Sequence, residues 1–347
     1  MKISLIMTVL NEGEAIRAVL DSLVAQLRLP DEVVIADGGS RDNTVAVIRE
    51  YEGRLPLKII SVPGANISQG RNAAIRAASG EIIAVTDAGV RCEQEWLERL
   101  TMPFEQESPL SRDAGTGDMS PEAKRSGQGP GVRAIMAVAG FFQSDPANVL
   151  EVAMGATVLP EAREVNPQTY LPSSRSVAFR KEAWEAVGGY PEWLDYSEDV
   201  VFDLKLREKY GPFTFIPEAA VHFRPRGSLR ALAQQYYRYA RGDGKANLFP
   251  RLHALRYFTY LVAAPLGVYA ALTVSGWLWL LGVAAGLAYI RLPLRRAWPK
   301  LKGLSLLDRL RVLFYIPVIR VVGDLAKMVG YPAGVRWRMS REKRDTD

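Results

Sequence analysis

The stretch EIIAVTDAGV, residues 81–90, decides how the fold is read. Ile82, Ile83, Ala84 and Val85, with the half-polar Thr86, form a short unbroken run that stops at Asp87-Ala88-Gly89. A run of this length, rich in β-branched residues, reads as a central strand of a parallel sheet covered on both faces. Ligands of such sheets bind beyond the carboxyl ends of the strands, and Asp87 stands at that end. A carboxylate where a strand opens into a glycine-bearing turn is placed to meet a sugar hydroxyl or a metal on a diphosphate. An ordinary Asx turn would use the same residue.

Working outward, residues 3–10, ISLIMTVL, form a first strand of the same kind and lead into Asn11-Glu12-Gly13-Glu14. Ile16, Val19, Leu20, Leu23 and Leu27 then keep a period close to 3.6 and predict a helix over about residues 14–27. A second strand, residues 32–36, runs into Asp37-Gly38-Gly39-Ser40-Arg41-Asp42-Asn43-Thr44. Its two glycines allow a tight turn beside a ligand, and Asp42 or Asn43 is placed to cap the next helix. Residues 58–62 read as a third strand, and residues 67–78 as a helix carrying Gly70-Arg71-Asn72. Strand and helix alternating with short connections predict right-handed βαβ units and an open, doubly wound sheet. No G-x-G-x-x-G follows the first strand, which argues against a dinucleotide enzyme.

Taken together, Thr8-Val9-Leu10-Asn11-Glu12, the run from Asp37 to Thr44, Gly70-Arg71-Asn72 and Thr86-Asp87-Ala88-Gly89 resemble glycosyltransferase family 2. Its usual pattern is N-E after the first strand, D-D-G-S-x-D after the second and D-x-D after the fourth. The resemblance implies the GT-A fold, an α/β architecture with a doubly wound, mostly parallel sheet flanked by helices, over residues 1–240. It also implies a nucleotide-sugar donor bound by Thr8, Val9, Asn11, Glu12, Asp37, Arg71 and Asp87, with Mg²⁺ or Mn²⁺ as counter-ion to the diphosphate. Two positions depart from the pattern. Gly38 replaces the second Asp of D-D-G-S, and Gly89 replaces the last Asp of D-x-D, commonly the metal ligand, so a metal would lean on Asp87 and on His222.

Residues 105–131 are rich in Gly, Ser, Pro and charge, and read as a flexible insertion. Strands are expected over residues 132–142, 171–179 and 213–217. Between the last two lies GGYPEWLDYSED, whose Glu198 and Asp199 fall in the first turn of a helix, where the helix dipole alone would favour acids. Gly188-Gly189-Tyr190 followed by Ser197-Glu198-Asp199 also resembles the acceptor-side motif of family 2, with Ser-Glu-Asp for T-E-D. That resemblance makes Asp199 the catalytic base and gives Glu198 a part in positioning the acceptor. His222 is either a structural histidine or, as in several GT-A enzymes, the residue completing the metal or diphosphate site. Gln235, Arg238 and Tyr239 resemble the Q-x-x-R-W motif of membrane-bound members, which meets diphosphate or acceptor. An interfacial helix would also carry such residues.

Charge separates the chain into two parts. From Arg251 onward 16 Lys/Arg face 5 Asp/Glu, a net +11, whereas residues 1–250 carry −5 of the chain's total of +6. A basic, apolar end behind a mildly acidic front suits a membrane rather than nucleic acid. Residues 257–290 hold no charge at all, and as one helix of about 51 Å would overshoot the bilayer core of roughly 30 Å. A hairpin broken near Ser275-Gly276 is expected, within a C-terminal helical region of residues 241–347. Arginines and lysines on both flanks put both ends in the cytoplasm; a soluble buried hairpin is the alternative. Residues 304–328 read as one or two helices in the interface. The single Cys92 excludes an internal disulfide, and the first residues show no signal-peptide cleavage site. These features imply an inverting transferase acting on a lipid-linked saccharide or a membrane lipid at the cytoplasmic face. The alternative is a non-catalytic GT-A-like membrane scaffold. A sugar-nucleotidyltransferase would need a Gly-rich basic phosphate loop where Asn11-Glu12-Gly13-Glu14 stands.

Overall fold

A computed structural model describes residues 1–106 and 134–346; from residue 107 on, the insertion expected over residues 105–131 lies outside the described residues. The strands Ile3–Val9 (β1), Glu32–Asp37 (β2), Leu57–Ser61 (β3), Ile82–Val85 (β4), Val90–Cys92 (β5), Ala137–Ser144 (β6), Val177–Arg180 (β7) and Thr214–Phe223 (β8) form one sheet in the order β3-β2-β1-β4-β7-β6-β8-β5. β1 runs parallel to both β2 and β4, and β2 parallel to β3. β7 is antiparallel to β4 and to β6. Asp37 lies opposite Val9, and Val85 opposite Ile6, so the chain leaves β1, β2 and β4 on the same rim.

The runs that predicted β1, β2 and β4 are buried on both faces, as strands inside a helix-covered parallel layer must be. Ile6, Val34, Ile83 and Val85 pack in one core with Ala74 and Ile75 of the helix Ile67–Ala77 and with Phe179, Phe202 and Leu206. That helix opens with a capping box, in which Asn66 accepts from Gln69 N and the Gln69 side chain answers to Asn66 N, each at 2.9 Å. It presses so closely on β1 that a Cβ at Gly70 would stand 2.9 Å from Thr8 Cγ2.

Several boundaries differ from the expected ones. The first helix starts as a 3₁₀ turn, Gly13–Ile16, before Arg17–Val24. The expected strand over residues 171–179 shrinks to the four residues of β7. Its front half is loop because Ser174 and Ser176 are buried to make side-chain bonds: Ser176 Oγ donates to Ala219 O and accepts from Trp96 Nε1, each at 2.8 Å. β8 runs ten residues, carrying His222 inside the sheet. β5 and the helices Trp96–Glu105, Val149–Val158 and Lys181–Ala186 were not anticipated.

Two compact units result: residues 1–142, 165–192 and 199–222, and residues 143–164, 193–198 and 223–347. In the second, the helix Leu229–Lys245 crosses the helix Leu306–Thr346 through glycines. A Cβ at Gly330 would run into the Tyr237 carbonyl, one at Gly334 into that of Arg241, and one at Gly244 into that of Tyr331. The segment expected as one or two helices over residues 304–328 is thus the first half of a single 41-residue helix, and it buries Val312, Ile316 and Ile319 with Ala153, Met154 and Ala156.

The charge-free stretch lies within two helices of 24 residues each, Pro250–Thr273 and Leu278–Leu301, long and apolar enough to cross a membrane and broken around Ser275-Gly276 as expected. A single π turn, Thr259–Ala263, precedes Pro265, whose missing N–H interrupts the regular ladder. Leu261, Leu266, Leu272, Leu281 and Trp277 project outward, each at least 60% exposed. The polar side chains turn inward instead. Arg256 Nε donates to Asp324 at 2.8 Å, Asp324 accepts from Tyr260 and Tyr289, and Tyr257 Oη donates to Met328 O at 2.5 Å.

Candidate active site

The loops after β1 and β2 are knitted to each other. Asn11, in the left-handed region at φ 54°, donates its N–H to Ser40 Oγ at 2.9 Å and accepts from Arg41 N at 2.8 Å. Thr44 Oγ1 accepts from the N–H groups of Glu12 and Gly13 and donates to Asp42, which also accepts from Thr44 N. Asp42 therefore caps this turn, while Asn43 reaches across to Glu14. Asp37, 6% exposed, folds back to accept from Ser40 N at 3.0 Å, and Gly39 at φ 96° permits that turn. Gly38 N donates to Val9 O at 2.9 Å, which seats the second loop on the end of β1.

Beyond β4, Asp87 meets two guanidinium groups. Arg71 Nη2, buried, donates to Asp87 Oδ1 at 2.9 Å, and Arg175 Nε lies 3.8 Å from Oδ2. Arg175 precedes β7 and no sequence motif marks it. Its carbonyl accepts from Thr86 Oγ1 at 3.0 Å, its Nη1 donates to Ser173 Oγ at 2.9 Å, and its guanidinium sits 5.7 Å from the Phe142 ring centre. Arg71 stands over the ring of Tyr190 at 5.4 Å, and that ring stacks on Phe202 at 4.2 Å. Burial pushes the Tyr190 phenol well above its ordinary range; Arg71 pulls it back, while Asp203 and Asp199 push it further. Tyr190 thus senses both Arg71 and Asp199, and the acid–arginine pair at the end of β4 and the acid at the start of the helix Glu198–Tyr210 belong to one electrostatic neighbourhood.

Asn72 holds this arrangement. Its Oδ1 accepts from Tyr190 N at 3.0 Å and Trp184 Nε1 at 3.1 Å, and its Nδ2 donates to Tyr190 O at 2.8 Å and Glu192 Oε1 at 2.9 Å. Every hydrogen-bonding valence of the amide is used. Gly188 and Gly189, at φ 76° and 68°, carry the left-handed turn that brings Tyr190 to Asn72. Asp199 Oδ1 accepts from Val200 N at 2.9 Å.

In the second unit, Ser197 adopts φ 63° and bonds through Oγ to Tyr239 O at 3.2 Å and Asp243 Oδ1 at 2.9 Å. Asp195 pairs with Arg241 and with Lys245 Nζ at 2.8 Å, and Arg238 donates to Tyr196 Oη at 3.1 Å. Gln235 donates to Tyr239 Oη at 2.7 Å. The anticipated Gln235, Arg238 and Tyr239 therefore lie on one helix, Arg238 and Tyr239 holding residues 193–198, and Glu198 ends that segment in a buried position.

The donor set for a metal is poor. Gly89 supplies no side-chain oxygen, Asp87 already faces two cations, and His222 Nε2 is bonded to Glu93 Oε1 at 2.9 Å. Among the described residues no group of three His, Cys, Asp or Glu is placed to hold an ion. A divalent cation held by protein carboxylates does not fit these residues.

Residues 4–126 match the model of the family described as Glycosyl transferase family 2. Over those residues the chain carries a glycosyltransferase family 2 domain. Over 274 residues this glycosyltransferase is 28% identical to the succinoglycan biosynthesis protein ExoA of Rhizobium meliloti (strain 1021), covering 78% of this chain and 77% of that one. It is 23% identical over 246 residues to the O-antigen chain rhamnosyltransferase RfbN of Salmonella typhimurium, covering 68% and 71%. Its fold is similar to that of the mannosyltransferase PcManGT from Pyrobaculum calidifontis, solved with GDP-Man and Mn²⁺, with a TM-score of 0.56 at 19% identity over 94% of this chain and 87% of that one. The mixed sheet with flanking helices is thus the GT-A fold of this glycosyltransferase.

Proposed function

We propose that this glycosyltransferase moves a sugar from a nucleoside-diphosphate donor to a hydroxyl of a lipid-linked saccharide or membrane lipid, with inversion, at the cytoplasmic face. The observation that carries the reading is the Asp87–Arg71 pair with Arg71 over the Tyr190 ring, in the same compact unit as Asp199. Asp37, in its tight turn, receives the nucleotide with Arg71, and Asp87 faces the ribose or the phosphates. Thr8, Val9, Asn11 and Glu12 shape that rim. Asp199 takes the proton of the acceptor hydroxyl as its oxygen attacks the anomeric carbon; the bond from that carbon to the diphosphate breaks, and its electron pair leaves with the phosphate oxygen. A single base with no second nucleophile gives direct displacement, hence inversion. Glu198 helps position the acceptor, and Gln235 and Arg238, with Tyr239 in the same motif, meet the diphosphate or the acceptor.

The unpacked apolar hairpin supports membrane attachment, since soluble chains rarely leave such surface exposed. Arg251 and Arg256 before it, and Arg291, Arg295 and Arg296 after, favour cytoplasmic ends. The two relatives' names, succinoglycan biosynthesis and O-antigen chain, support a growing saccharide as acceptor. The test is Asp199→Asn, which should remove transfer of labelled sugar into membrane extract while sparing nucleotide binding. Turnover near the wild-type rate would remove Asp199 from the mechanism, and label confined to water-soluble products would remove the lipid acceptor.

A further inference from the structure

We propose that the leaving diphosphate is neutralised by the guanidinium group of Arg175 while Arg71 compensates Asp87, and that donor binding and transfer need no carboxylate-held divalent cation. The proposal rests on reading the rim beyond β4 as the donor site. Its ground is what surrounds Asp87, the only carboxylate left in Thr86-Asp87-Ala88-Gly89. Where the family pattern has a second acid, Gly89 faces open space, with no atom within 4 Å of the Cβ it lacks. The remaining acid is covered by Arg71 at 2.9 Å and Arg175 at 3.8 Å. A dication brought to Asp87 would have to displace or sit against two positive charges, and that repulsion is strong in a partly buried site. His222, the other anticipated ligand, is engaged with Glu93.

Arg175 is built for the alternative role. Its backbone is tied to Thr86, the residue before Asp87, and Ser173 and the Phe142 ring hold its guanidinium. Its Nε lies 3.8 Å from Asp87 and 22% of its side chain is exposed, so part of it is open to a phosphate. Arg71, 3% exposed and fixed between Asp87 and Tyr190, keeps the carboxylate compensated meanwhile. A planar guanidinium donates two parallel N–H bonds to phosphate oxygens and carries a charge that never titrates away. As the bond from the anomeric carbon to oxygen breaks, the extra electron pair lands on an oxygen facing that charge.

The test measures binding of UDP, GDP and dTDP to the full-length, detergent-solubilised protein by calorimetry, in EDTA and in Mn²⁺. At least one nucleotide should bind with affinities that agree within about threefold in the two buffers, a difference under 1 kcal/mol. Arg175→Ala should weaken that binding by about tenfold or more, the loss of a charge-assisted phosphate contact, with Arg175→Lys intermediate. The ligand-free melting temperature of each variant separates this from misfolding, and labelled-sugar transfer should persist in EDTA. Binding that appears only with Mn²⁺, or an Arg175→Ala protein that binds like the wild type, overturns the proposal while leaving the donor site in place. No binding of any nucleotide in either buffer overturns the donor-site reading and this proposal with it.

Discussion

Replacing Asn72 by alanine should cost about 3–5 kcal/mol of folding stability, because each buried polar group left without a partner costs about 1–3 kcal/mol. The groups concerned are the N–H and C=O of Tyr190 and the indole N–H of Trp184, all bonded to one amide that is itself 3% exposed. A water entering the vacated space would recover part of the loss, which keeps the sum below the naive total. A domain is stable by only about 5–15 kcal/mol, so the variant should be visibly crippled. Asn66→Ala is the control: it removes one cap at the start of the same helix and one exposed bond to Glu192 O, and should cost only about 1–2 kcal/mol. Urea unfolding followed by tryptophan fluorescence, with Trp184 as a local reporter, measures both. An Asn72→Ala midpoint no lower than that of Asn66→Ala would refute the idea that this amide holds the Gly188-Gly189-Tyr190 turn.

Gly140→Ala should destabilise by about 3 kcal/mol, as overpacking between paired strands does, since the new methyl would run into Ser176 Oγ and the Ala219 carbonyl; a melting curve within 1 °C of wild type would contradict it. Burial works against the charge of Glu32, but hydrogen bonds from Ser4 and Ser79 outweigh it and pull this carboxyl down to about 2. A depressed folded-state pKa gives stability that is complete above the ordinary value near 4.5 and drains away as pH falls toward 2. Glu32→Gln should flatten that part of the pH–stability curve by about 1–2 kcal/mol, allowing for solvent screening. Burial pushes the Cys92 thiol up to about 12, so iodoacetamide at pH 8 should label it in urea and leave it untouched in the native protein; equal rates would place it at the surface.

The parallel half of the sheet was legible because its strands carry their own signal: Ile3–Val9 and Ile82–Val85 are β-branched, apolar and bounded by turns. In the antiparallel half β6, β7 and β8 were expected but their bounds were not legible, because polar residues there are satisfied by partners far along the chain, as Ser176 is by Ala219 and Trp96. The helix Trp96–Glu105 did carry a readable pattern, with Trp96, Leu97, Leu100 and Phe104 all fully buried, but it follows β5, three residues too short to announce itself. Within the site, Asp37, Arg71 and Asp87 stood in a recognisable pattern. Arg175 stands among serines, 88 positions after Asp87, and only the pairing of β7 with β4 brings it there. Asn72 was visible next to Arg71, yet its four bonds run to residues more than a hundred positions away, which no local pattern encodes.

The glycine-lined crossing of Leu229–Lys245 with Leu306–Thr346 leaves no slack between the two rods. The first of them grips Asp195, Tyr196 and Ser197, and Asp199 is two peptide bonds downstream of that grip. Cutting the chain ahead of Leu306 to obtain a water-soluble fragment would therefore do more than discard an anchor. It would also take away the partner of the helix that holds residues 195–197, so such a fragment should melt at a lower temperature than the full chain.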